Sequence, residues 1–157
     1  MENNTNTATL NAPVVLTEKV KALKLIARDA LRMELISPRL AEIGRLENEV
    51  KQTQEYITEQ EKRGAIANYK IERLTRLDAK HPDFTNLKTN QEDIMIDCLK
   101  CIENLNKEIE AISKDILTEK EAIAKIETGE TLVSAEDLAN LVNKLILQDA
   151  KNTISLS

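Results

Sequence analysis

Between Ile43 and Leu74 the apolar side chains return after three and then four residues, and between Met95 and Ile126 they do so again. That spacing holds them on one stripe of an α-helix, and its persistence over several heptads marks a helix paired with another helix. In the first run Ile43, Val50, Ile57, Gly64 and Ile71 fall at a, with Leu46, Thr53, Gln60, Ala67 and Leu74 at d. In the second, Met95, Ile102, Ile109, Ile116 and Ile123 fall at a, with Cys98, Leu105, Ile112, Glu119 and Ile126 at d. Antiparallel helices pair a with d, so the residue numbers across every layer share one total. A total of 169 satisfies the layers 43 with 126, 57 with 112, 64 with 105, and 74 with 95. It sets the small Gly64 and Ala67 against Leu105 and Ile102, and brings Glu47 near Lys120 and Arg63 near Glu108. The turn then lies in AKHPDFTNLK, Ala79 to Lys88, where Pro82 ends one helix and Asp83, Thr85 or Asn86 caps the next.

Punctuation outside the two runs predicts four helices, over about 14–36, 38–80, 87–128 and 134–150. Pro13 precedes the first; Ser37 before Pro38 reads as an N-cap followed by a proline at the first helical position, so a second helix starts or the first one kinks there. Gly129 supplies a stop for the third, and Ser134 with Asp137, flanked by Val133 and Leu138, resembles a capping box with a hydrophobic staple. Leu16, Val20, Leu23, Ala27, Ala30 and Leu31 give the first helix an apolar side, which matches Leu138, Leu141, Val142, Leu145 and Ile146 on the fourth. The expected fold is all-α: a long antiparallel coiled-coil hairpin with a short helical bundle at its open end, formed by the N- and C-terminal helices. Residues 1–12, rich in Asn and Thr, are expected to be a disordered tail, and 13–157 a single elongated helical domain.

Composition agrees with long helices and narrow seams: of 157 residues 41% are apolar and 31% charged, but only 2% are aromatic, which is poor for a compact globule. The net charge of −5 gives no general pull toward nucleic acid or acidic membranes. It is unevenly spread, with 14 basic against 10 acidic residues from Lys19 to Lys80, and 4 against 10 from Glu103 to Asp137. No stretch approaches the roughly 18 apolar residues of a membrane span, and Met1 to Asn11 lacks a signal peptide's basic start and apolar core, so a cytoplasmic location without membrane association is expected.

Candidate chemistry is sparse. Cys98 and Cys101 form CLKC, but a zinc site needs four ligands, and the chain offers two cysteines and the single His81. Ordinary buried thiols are the first reading, an intersubunit disulfide or shared metal the second, and redox work the third. His81 beside Pro82 and Asp83 has an acid and a base but no pocket, and reads as turn chemistry. The phosphate-cradling Gly-rich loop, the Gly-x-Ser-x-Gly elbow and His-Glu-x-x-His do not occur, so no enzymatic activity, cofactor or metal is expected. Lys19, Lys21, Lys24, Arg28 and Arg32 line an amphipathic first helix without the Trp or Phe that anchors a membrane-surface helix, which favours packing against the fourth.

What remains is recognition of another macromolecule. Ile66 and Tyr69 stand at outward c and f positions among Arg63, Lys70, Arg73, Arg76 and Lys80, and the expected partner-binding residues are Ile66, Tyr69, Arg73, His81 and Phe84. Leu77, Ile94, Leu99 and Cys101, at e and g, widen the seam near the turn and are the expected contact of a homo-oligomer. The expected function is protein–protein binding by a non-enzymatic oligomer, as an assembly or scaffold component or a stoichiometric inhibitor, the partner being a protein. The alternative is a nucleic-acid-binding arm using the basic face from Arg63 to Lys80. In architecture alone such a hairpin is similar to prefoldin-like chaperone subunits, the arms of some synthetases and small phage assembly or inhibitor proteins; architecture carries no function.

Overall fold

A computed structural model describes residues 2–76 and 83–156, with side chains over 17–76 and 83–154. The described residues are all-helical and contain no strand: α1 is Glu2–Arg76, α2 is Phe84–Glu127 and α3 is Ala135–Leu156. They divide into two compact units, Met1–Leu40 with Glu121–Ser157, and Ala41–Lys120.

α1 takes in the segment expected as a tail and passes Ser37–Pro38 without a break, so three helices stand where four were expected. Pro38 has no N–H for the carbonyl of Glu34, a defect costing about 3 kcal/mol inside a helix. Ile36 and Ile43, both buried, flank it at seven-residue spacing. Burying such a side chain contributes about 1.5–3 kcal/mol, which offsets the missing bond and carries the helix through.

In the unit Ala41–Lys120, the packing of α1 on α2 fits a hairpin. A Cβ at Gly64 would stand 3.6 Å from the Cβ of Cys98, and Gln60 and Ile102 line one cleft with them. That contact, 64 with 98, totals 162, one heptad less than the expected 169. The register is therefore displaced by about 10 Å along the helices. A seven-residue slip leaves every a opposite a d, so periodicity alone does not tell the two registers apart. The structure seats Cys98, 1% exposed, over the bare Cα of Gly64, which lets the backbones approach. α2 accordingly opens at Phe84, three residues before the expected 87. Asp83 takes the N-cap position, its carbonyl accepting the Leu87 N–H at 2.9 Å. The expected pairs Glu47 with Lys120 and Arg63 with Glu108 do not form among the described residues. Thr53, buried in the seam, donates its hydroxyl to the Glu49 carbonyl at 2.9 Å and so needs no partner across it.

In the other unit, α3 runs antiparallel to the first part of α1. Lys19 Nζ lies 3.6 Å from Asp149, while Leu31, Glu34 and Leu35 line a cleft with Val133, Ser134 and Asp137. Ala27, Ile36, Ile123, Ile126 and Val142 are buried there, whereas Ala30, expected on the apolar side, is exposed. The corner before α3 is closed from both sides. Gly129, at φ 81°, donates to the Ile126 carbonyl at 3.2 Å, and Thr131 N–H to that of Lys125 at 3.0 Å. Ser134 Oγ then accepts the Asp137 N–H at 3.3 Å, as a capping serine does.

Candidate partner-binding face

Ile66, Tyr69 and Arg73 follow one another at i, i+3 and i+7 along α1, a spacing that puts them on one outward face. Ile66 and Tyr69 are 57% and 58% exposed. The Arg73 guanidinium sits 5.8 Å from the centre of the Tyr69 ring, a cation–π contact that orders both side chains while leaving them in solvent. Phe84 is only half-buried, at the first position of α2. Leu77 and His81 lie outside the described residues.

Two clefts flank the seam near these residues. One, of about 320 Å³, is lined by Lys70, Arg73, Leu74, Leu87 and Gln91. Its outer members occupy g and c positions of the heptads, the side to which Ile66, Ile94 and Cys101 also belong. The other, of about 280 Å³, gathers Glu61, Ala65 and Asn68 from α1 with Met95 and Leu99 from α2, over Gly64 and Cys98. The residues expected to make one oligomer contact are thus divided: Ile94 and Cys101, half-buried, share a side with Arg73, while Leu99, 63% exposed, belongs to the opposite one.

Lys70, Leu87 and Gln91 are lining residues that the expected set omitted. Leu87 was within reach of the pattern, since it falls at g seven residues before Ile94. Both thiols are free, Cys98 buried in the seam and Cys101 half-buried beside it. Among the described residues no group of three His, Cys, Asp or Glu side chains is placed to hold a metal ion, and no helix is long and apolar enough to cross a membrane. No buried side-chain nitrogen or oxygen among them lacks a hydrogen-bond partner. The arrangement offers apolar and cationic contact area. No protein family, curated protein or solved structure matches the chain.

Proposed function

We propose that the chain is a non-enzymatic, oligomeric coiled-coil protein that works in the cytoplasm by binding another protein, as an assembly or scaffold component or a stoichiometric inhibitor. One observation carries the proposal: sixteen large apolar side chains are exposed among the described residues, against ten hydrophobic residues in the core. Exposed large apolar side chains, where they form a contiguous patch, mark a surface that a partner covers. Arg73 contacts the exposed Tyr69 ring and shares a cleft with Leu87, and aromatic and arginine side chains are the types that dominate binding energy at interfaces.

The detailed architecture belongs to the same proposal. The heptad order of half-buried and buried positions along α2, together with the Gly64 to Cys98 contact, supports an antiparallel coiled coil. The Lys19 to Asp149 pair and the buried Val142 support a short helical bundle of the terminal segments. Self-association is expected through Leu99 and its cleft on one side of the seam, or through Ile94 and Cys101 on the other. Light scattering at tens of micromolar tests it; a monomer mass there removes the oligomer. Replacing Ile66 and Tyr69 together by alanine is expected to preserve helicity and to abolish partner capture; unchanged capture removes the face.

The second reading, a nucleic-acid-binding arm, draws on Lys62, Arg63, Lys70, Arg73 and Arg76, none of which pairs with an acid among the described residues. Salt separates the two readings, because phosphate contacts lose affinity steeply with ionic strength and an apolar protein contact does not.

A further inference from the structure

The cleft lined by Lys70, Arg73, Leu74, Leu87 and Gln91 lies at one end of a series of apolar g positions on α2. Leu87, Ile94 and Cys101 stand at successive g positions, roughly 10 Å apart along the helix. That is the interval at which the ridge of a docked helix returns, and the two-residue alternation of a strand does not match it. Beside the row runs a cationic one, Arg63 and Lys70 at g with Arg73 at c. These three form no ion pair with any described residue.

Most of the acids at this level are turned elsewhere or engaged, while Glu59, at c, borders the row beside Arg63 and Asp93 stands outward at f. Glu72 accepts a 3.5 Å hydrogen bond from Asn68, which lines the opposite cleft, and so does Glu61. Glu92, at e, is 4.0 Å from Lys88. Asp97, at c, is the acid on the cationic side between Leu87 and Cys101. The hairpin is therefore polarised across its seam, and the more cationic side carries apolar residues at heptad intervals along α2.

Resting on the protein-binding reading above, we propose that this face takes an amphipathic helix of a partner protein whose apolar ridge is edged by acidic side chains. Its ridge would lie on Leu87, Ile94 and Cys101, and its carboxylates would reach Arg63, Lys70 and Arg73, in the helix-in-groove mode. A second copy docked through this same face is the poorer occupant, since it brings the same cations and few acids. A phosphate backbone meets the charge but has no apolar ridge for the row of Leu87 and Ile94.

The full chain is titrated, by fluorescence anisotropy, against three helical peptides of about sixteen residues, long enough to span the row. All carry the same leucine ridge, edged by Glu, Gln or Lys. The Glu peptide is expected to bind roughly ten-fold tighter than the Gln peptide, the scale of two partly desolvated charge pairs. The double variant K70E/R73E, both sites exposed and its helicity checked by circular dichroism, is expected to lose that preference and to favour the Lys peptide. Equal affinity for Glu and Gln peptides, a preference unchanged in K70E/R73E, or no binding of the Glu peptide overturns the proposal. Gln-peptide binding as tight as that of Glu, and lost on Leu87→Ala, removes the acidic partner while leaving the protein-binding reading standing. If no peptide binds, two further measurements name what replaces it. An oligomer mass that falls in K70E/R73E assigns the face to a second copy, and capture of a single-stranded oligonucleotide that this variant abolishes assigns it to nucleic acid.

Discussion

The corner between α2 and α3 and the seam of the unit Ala41–Lys120 both join two helices, but they fix their geometry by different physics. At the corner each residue has one place: Gly129 takes a positive φ, and the Ser134 hydroxyl caps α3. Moving either by one residue leaves a carbonyl or an N–H without its partner. In the seam the interactions repeat. Isoleucine recurs at a in α2, so a seven-residue slip exchanges one apolar layer for another, and only the sizes that meet decide between registers. Unique local chemistry pins a structure, and repetition leaves it to small differences in packing.

The largest expected effect tests the register directly. Gly64 and Cys98 are close enough that a cysteine at 64 satisfies the Cβ separation of a disulfide. Gly64→Cys in a Cys101→Ser background is expected to oxidise within one chain and to raise unfolding stability by about 4 kcal/mol, the scale for closing a loop of about 34 residues. Pairing Gly64→Cys with Leu105→Cys, the partner in the alternative register, with both native cysteines replaced by serine, is expected to leave two free thiols. Thiol titration and non-reducing mass read both variants. A bond in the second and none in the first would restore the register one heptad away.

Next in size is a comparison of cores. Ile126, 2% exposed, lies beside the pinned corner, whereas Ile57 is half-buried in the repetitive seam. Ile126→Ala is expected to cost about 3 kcal/mol, and Ile57→Ala less than half as much, by urea unfolding. Equal costs would mean that the seam is as tightly closed as the corner.

These differences also explain what could be read beforehand. The all-α class, the seam positions and the corner followed from side-chain period and from residues whose stereochemistry permits little else. The continuity of α1 did not, because Pro38 is a local stop signal and the burial of Ile36 and Ile43 that overrides it is tertiary. The register did not, because it rests on Cys98 fitting over Gly64, a contact of two residues that the heptad places 34 positions apart. For the candidate face, Ile66, Tyr69 and Arg73 were legible as an outward i, i+3, i+7 set. That Leu87 joins them and Leu99 does not depends on which side of the seam each g or e position occupies, and so on having both helices in place.

Two glycines, one from each region, sharpen the contrast at the scale of about 1 kcal/mol. At Gly129 an added Cβ meets the positive φ, a strain of about 1–2 kcal/mol, so Gly129→Ala is expected to lower stability by that amount. Its contact with an Arg32 guanidinium nitrogen at 3.2 Å adds little, because that side-chain end can move. At Gly64 the backbone is helical and the nearest atom stands at an ordinary 3.6 Å, so Gly64→Ala is expected to gain up to about 1 kcal/mol from helix propensity. Opposite signs in thermal unfolding are the expected outcome. A loss at Gly64 would show that Cys98 cannot yield, making that layer as exacting as the corner.

The smallest effect separates surface charge from both mechanisms. On the exposed face of α1, Arg45 donates to Glu42 at 2.6 and 2.9 Å and to Glu49 at 3.1 Å. The hydrogen bonds from Arg45, with its charge, hold the Glu42 carboxyl below its ordinary value of 4.5 and raise the guanidinium further above its own. A carboxyl lowered by folding binds its proton first in the unfolded chain. Its contribution is therefore complete above pH 4.5 and is lost as the pH falls through the lowered folded value. Glu42→Gln is expected to melt slightly below the parent near neutral pH, by less than any variant above, with the difference closing once the pH is below the lowered folded value and in about 1 M salt. A difference that persisted under both conditions would locate the contribution of Glu42 in packing, and would make this turn of α1 part of what holds the seam.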